Sequence, residues 1–156
     1  MTNVRLWFSS VTTTSTKEFS NLVEMQIINV DDDEDDRGMF CMAVKRIDPE
    51  IQCIQMESAE DAVDLLKRNE LLPDLLFIDI NMPRMNGYEC VREIYQYPNL
   101  KNTLIVMFSS TFNPRDQAEF DILGVKYLLK TSNLKKLVES IDGLIALTLA
   151  EGKQKM

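Results

Sequence analysis

Histidine is absent from this chain. That absence excludes a Ser-His-Asp triad, a His-ligated zinc site and any role as a phosphohistidine carrier. Positive charge is scarce. Seventeen Lys and Arg against 25 Asp and Glu leave a net charge of −8 and a pI near 4.6, which argues against nucleic acid and against anionic membrane surfaces, both of which call for basic protein. Cysteine is limited to Cys41, Cys53 and Cys90, in apolar contexts without metal-type spacing. An odd count of this kind predicts buried, reduced thiols and a cytoplasmic setting. Long apolar runs are also missing. The patch Val4-Arg5-Leu6-Trp7-Phe8 is too short for a signal-peptide core or a membrane span.

What is there fits one domain. A chain of 156 residues with 45% apolar content can bury a core without metals or disulfides. Residues 1–24 differ from the rest: Arg5 and Lys17 balance Glu18 and Glu24, and Ser9 to Thr16 is a Ser/Thr-rich run without periodicity. They read as disordered, or as a non-native N-terminal extension produced by a start site placed too early, with the functional domain starting at Met25. That domain is expected over residues 25–150, followed by a polar, frayed tail at 151–156.

From Met25 the chain alternates strand and helix patterns. The first strand, Met25–Val30, runs into the acidic stretch Asp31-Asp32-Asp33-Glu34-Asp35-Asp36. A helix follows with Phe40, Ala43, Val44 and Ile47 on one face, stopping before Asp48-Pro49. Ile51–Met56 mixes Ile51 and Cys53 with Gln52 and Gln55, which suits an edge strand. Ser58-Ala59-Glu60-Asp61 reads as a capping box before a helix with Ala62, Leu65 and Leu66 inward. Leu75-Leu76-Phe77-Ile78 is apolar throughout, the pattern of a strand covered on both faces, and it ends in Asp79. A third helix is expected from Gly87 to Gln96, ahead of Pro98.

Thr103–Phe108 is another continuous apolar strand, ending in Ser109-Ser110-Thr111. Asn113-Pro114 reads as an N-cap with proline in the first turn, and Gly124 as the stop of that helix. A short strand, Lys126–Leu129, ends in Lys130. The last helix carries Leu134, Leu137, Val138, Ile141, Leu144 and Ile145 at helical spacing. Five right-handed βα units predict an α/β fold: a doubly wound, five-stranded parallel sheet in the order 2-1-3-4-5, a flavodoxin-like topology.

In such a sheet the carboxyl ends of the strands share one edge, where ligands bind. Asp31, Asp32, Asp79, Ser109 and Lys130 all fall there, each just after an apolar strand. Crowded carboxylates repel unless a cation neutralises them or their protons bind more tightly. Oxygen donors without histidine or a cysteine pair point to Mg²⁺. The lysine can pair with a carboxylate at rest and with a phosphoryl group when one is present, and the hydroxyl can donate to the same group. This set suits phosphoryl transfer onto Asp79 as the nucleophile. Asp33, Glu34, Asp35 and Asp36 read instead as a solvated helix start favoured by the helix dipole.

The blocks Val30-Asp31-Asp32, Asp79-Ile80-Asn81-Met82-Pro83 with Gly87, Phe108-Ser109-Ser110 and Tyr127-Leu128-Leu129-Lys130 resemble the response-regulator receiver domain of two-component systems. The layout is most similar to chemotaxis-type, single-domain members and covers roughly Met25 to Leu149. The resemblance implies Asp79 as phospho-acceptor, Asp31 and Asp32 with Asp79 as Mg²⁺ ligands, and the backbone carbonyl of Asn81 as a further ligand. It implies that Ser109 and Lys130 contact the phosphoryl group and that Tyr127 changes rotamer as Ser109 moves. Ser110 would leave access, and Asn81 and Thr111 would tune how long the phosphoryl group persists. One position departs from the family, which places proline after the lysine, often behind a cis bond. Here it is Thr131, so a trans bond or a strained loop is expected.

The implied partners are a sensor histidine kinase or a histidine phosphotransfer protein and a downstream protein target, with neither nucleic acid nor membrane. The implied state is a monomer or weak homodimer. The chain ends about one helix after Lys130, so a stand-alone regulator is expected. It would act through a two-state surface made by its last two strand–helix units, not as a dedicated enzyme. Three other classes compete. An aspartyl phosphatase would need an acid where Asn81 stands. A flavodoxin-like electron carrier would need a Ser, Thr and Gly-rich loop where the acids stand. A receiver that no longer takes phosphate would lack part of the acceptor set.

Overall fold

The computed structural model describes residues 24–154. Strand β1 spans Gln26–Val30, helix α1 Glu34–Ile47, β2 Gln52–Met56, α2 Ala59–Lys67 and β3 Leu75–Ile78. Then come α3 at Gly87–Ile94, a 3₁₀ turn at Pro98–Leu100, β4 at Leu104–Ser109, α4 at Pro114–Asp121, β5 at Lys126–Leu129 and α5 at Leu134–Gln154. All strand pairings are parallel and the order is β2-β1-β3-β4-β5, as the sequence predicts. The expected extension at 1–24 lies outside the described residues except for Glu24. At the other end α5 runs on to Gln154, through part of the stretch expected as a frayed tail.

The period-2 alternation of strand side chains divides the core in two. Ile28, Val30, Leu76, Ile78, Ile105 and Met107 face a layer built from α2, α3 and Phe120 of α4. Ile27, Leu75, Phe77, Leu104, Val106 and Phe108 face α1 and α5. Phe40, Phe77 and Phe108 pack together there, with ring centroids 4.7–6.3 Å apart in tilted and edge-on arrangements. Burying each such ring stabilises the fold by roughly 2–3 kcal/mol. The inward residues of α1 and α5 match the expected stripes. In α2, Val63 is buried while Leu65 is only half-buried, a helical phase slightly rotated from the predicted one.

Helix starts follow local chemistry. Asp33 caps α1 by accepting from the Asp36 N–H, and Ser58 caps α2 by accepting from Asp61. Only that half of the box predicted at Ser58 forms. The reciprocal box is at α3, where Asn86 accepts from Glu89 and the Glu89 carboxylate accepts from the Asn86 N–H at 2.9 Å. Asn113 caps α4 through the Arg115 N–H, and Gly124 ends that turn with φ +75°, a conformation that favours glycine. The bond before Thr131 is trans, since no cis peptide occurs among the described residues. No helix among them is long and apolar enough to cross a membrane.

The cysteines depart from expectation. Cys41 on α1 and Cys53 on β2 form a disulfide, with Cα atoms 5.8 Å apart, while Cys90 is free and buried. The expectation of three reduced thiols is thus corrected. Its physical cause is the packing of α1 across the edge strand, which brings together two half-buried residues that no sequence motif links.

Candidate acidic site at the carboxyl edge

Backbone hydrogen bonds carry the ladders one residue past each strand and so fix the site. The Asp31 N–H donates to Met56 at 3.0 Å, Asp79 to Val30 at 2.8 Å, and Lys130 to Ser109 at 2.9 Å. Each of these candidate side chains therefore begins where the sheet ladder still holds the backbone rather than on a free loop. Gly87 has a related task. A Cβ there would clash with the Asp79 carbonyl and lie 2.8 Å from the Ile80 Cα, so only glycine lets α3 start against the end of β3.

Carboxylate oxygens of Asp31, Asp32 and Asp79 all lie within 4.8 Å of one another. Asp31 and Asp79 are buried and Asp32 is exposed, which gives a mouth with two walls inside the protein. The Lys130 ammonium forms ion pairs with Asp31 at 2.6 Å, Asp36 at 2.8 Å and Asp79 at 3.6 Å. It also lies 5.7 Å from the centroid of the Phe108 ring. Asp31 accepts in addition from the Asp33 N–H at 3.0 Å. The guanidinium of Arg37 donates to the Asp31 carbonyl at 2.7 Å, tying the first turns of α1 to the end of β1.

These distances set the charge states. Burial, then the neighbouring charge of Asp31, pushes the Asp79 carboxyl up to about 6, with Lys130 offsetting part of the rise. Burial also raises Asp31, against the pull of Lys130 and of the Asp33 N–H. For Lys130 burial works against the charge, but the bonds to Asp31 and Asp36 outweigh it and hold the ammonium above its ordinary range. Two of the three clustered acids thus resist ionisation, as they would where a cation or a proton is needed to balance them.

The other predicted residues fall into place unequally. Ser109 is fully buried and its hydroxyl finds no hydrogen-bond partner among the described residues. Asn81, Ser110 and Thr111 are exposed at the rim. Tyr127 is half-buried, donates to the Gln117 carbonyl at 3.2 Å and meets Phe112 edge-on at 5.0 Å. Burial pushes its phenol up to about 12.

Sequence reasoning missed Asp36, which joins the site through Lys130 although it reads as one of a row of solvated acids. It missed Phe112, whose role depends on the loop after β4. It also missed Asn29, fully buried two residues before Asp31, with neither amide atom hydrogen-bonded among the described residues. The only available signal for Asn29 was a polar residue inside the apolar run Gln26–Val30.

Residues 27–142 match the family model of the response regulator receiver domain. The transcriptional regulatory protein DegU of Brevibacillus brevis is 31% identical over 123 residues, covering 76% of this chain and 49% of that protein. Response regulator Rcp1 of Synechocystis is 34% identical over 77 residues, covering 49% of this chain and 52% of that protein. The Mn²⁺-bound structure of Rcp1 superposes with a TM-score of 0.67 at 28% identity, over 77% of this chain and 91% of that one. That of the phosphorylated cyanobacterial phytochrome response regulator RcpA gives 0.72 at 25% identity, over 83% and 96%. The chain spans about half the length of these curated relatives. The acidic pocket of Asp31, Asp32 and Asp79 is typical of the phosphoaspartate and Mg²⁺ site of phosphorelay signalling, and the chain belongs to the response-regulator receiver domain family.

Proposed function

We propose that Asp79 accepts a phosphoryl group from a phosphohistidine on a sensor histidine kinase or a histidine phosphotransfer protein, with Mg²⁺ held by Asp31, Asp32, Asp79 and the Asn81 carbonyl. The observation that carries this reading is the convergence of three carboxylates within 4.8 Å with Lys130 3.6 Å from Asp79. The oxygen-only donor set fits a hard cation, and the crowding that raises Asp31 and Asp79 is the charge imbalance such a cation would relieve. When bound, Mg²⁺ would neutralise the charge that develops on the phosphoryl oxygens.

The chain's own groups do the remainder. An Asp79 oxygen attacks phosphorus, the O–P bond forms, and the donor's P–N bond breaks to leave an imidazole that takes its proton from solvent. Lys130 pairs with the phosphoryl oxygens. The unpartnered Ser109 hydroxyl donates to the same group. Tyr127, on the neighbouring strand β5 opposite Met107, changes rotamer as Ser109 moves, which alters the surface of β4, α4, β5 and α5 presented to a downstream protein. Asn81 and Thr111, exposed at the rim, tune how long the acyl phosphate survives.

Incubation of the full chain with Mg²⁺ and acetyl phosphate tests this reading by intact mass. Wild type should gain the mass of one phosphoryl group, and Asp79→Ala should gain none. Equal modification of both, or of neither, would overturn it.

A further inference from the structure

Lys130 is shared unequally among its carboxylates. Asp31 and Asp79 belong to the oxygen cluster suited to a cation, whereas Asp36 does not. Asp36 is the third residue of α1, and its N–H donates to the Asp33 cap at 3.1 Å. An acid at that position usually faces solvent or folds back on the cap. Here its carboxylate instead accepts from a lysine 94 positions away. It forms one wall of a cavity of about 340 Å³ bounded also by Met39, Phe108, Lys130 and Thr131.

We propose that Asp36 is a positioning residue that holds Lys130 in a resting pose and competes with the phosphoryl group for its ammonium. The inference rests on Asp79 as acceptor. A cation among Asp31, Asp32 and Asp79 offsets the pull of two of the three carboxylates on Lys130. Asp36 stands outside that cluster and keeps its full attraction. The peripheral oxygens of an arriving phosphoryl group must then draw the ammonium from Asp36. An amide at this position keeps the side chain's shape but removes the competing charge. The bonds made and broken at Asp79 are unchanged; only the availability of Lys130 differs.

The test is the initial rate of phosphoryl mass gain with excess Mg²⁺ and acetyl phosphate at low ionic strength. Asp36→Asn should react about two- to fivefold faster than wild type, the range a partly exposed ion pair supports. Asp36→Glu, which keeps the charge, should stay close to the wild-type rate. The acceleration should disappear in a Lys130→Met background and shrink toward unity as salt screens the pair; a purely structural role would show neither dependence. An unchanged or slower Asp36→Asn would overturn the inference, as would an equal gain in Asp36→Glu or one that persists without Lys130. Those results leave the acceptor reading intact if wild type is modified. A wild type that takes no phosphoryl group would overturn both.

Discussion

The two edges of the sheet are built for different purposes. At one edge, β2 is joined to α1 by the Cys41–Cys53 disulfide, and the neighbouring β1 and β3 are almost wholly buried. At the other, every residue of β5 is half-buried or exposed, with Leu129 57% and Ile122, the residue capping the end of α4, 86% accessible. Asp31 and Asp79 extend from the first region. Tyr127 and Lys130 belong to the second, and Ser109 ends the strand that borders it. A phosphoryl group on Asp79 would touch both. Both edge strands are only partly covered, while β1, β3 and β4 between them are buried. The disulfide ties β2 to α1 and no crosslink among the described residues holds β5, so β2 is expected to stay with the fixed frame and the β5 edge to be the responsive part.

The largest effect expected from breaking this comparison is at the buried centre. Phe77→Ala removes a ring that packs on Phe40 and Phe108, and it should cost about 3–5 kcal/mol in denaturant unfolding. Reducing Cys41–Cys53, or replacing both with serine, opens a crosslink between residues 12 apart in sequence. It should cost about 2–3 kcal/mol on the chain-entropy argument. If the crosslink is confined to the frame, acetyl phosphate reactivity should survive under conditions where the protein stays folded.

A smaller effect follows from Asp79. Its folded carboxyl, at about 6 against the ordinary 3.8, binds a proton more tightly than in the unfolded chain. Stability of the metal-free protein should therefore fall as pH rises through that window, with the full loss present above it. Asp79→Asn should stabilise the metal-free protein by about 1–2 kcal/mol at neutral pH, after allowance for solvent screening, and far less near pH ~4. Thermal melts at the two pH values, without added Mg²⁺, check the sign. The smallest effect is at the open edge, where Leu129→Ser should change stability by less than about 0.5 kcal/mol. A much larger cost would show that β5 is as firmly packed as the frame.

The convergence of Asp31, Asp79 and Lys130 was legible because each directly follows a strand pattern, with Ser109 at the end of another, and parallel topology sends all strand ends to one edge. The cap at Asn113 and the stop at Gly124 were legible because turn chemistry is local. The box at Asn86 and Glu89 carried a readable Asn-x-x-Glu signature that was passed over. Asp36 was not legible for a different reason. Which acid of the run Asp31 to Asp36 meets Lys130 depends on the rotation of α1 over the sheet. The pairing of Cys41 with Cys53 and the contact of Phe112 with Tyr127 likewise arise from how separate elements pack.

Hydrogen exchange on the Mg²⁺-loaded chain, before and after addition of beryllofluoride as a phosphoryl mimic, tests the division between frame and responsive edge most directly. Exchange should change in amides from Ser109 through Thr131 and stay constant in Gln26–Val30 and Gln52–Met56, with no change in Asp79→Ala. Changes confined to β1 and β2, or equal changes in Asp79→Ala, would contradict a signal that starts at Asp79 and travels to the open edge.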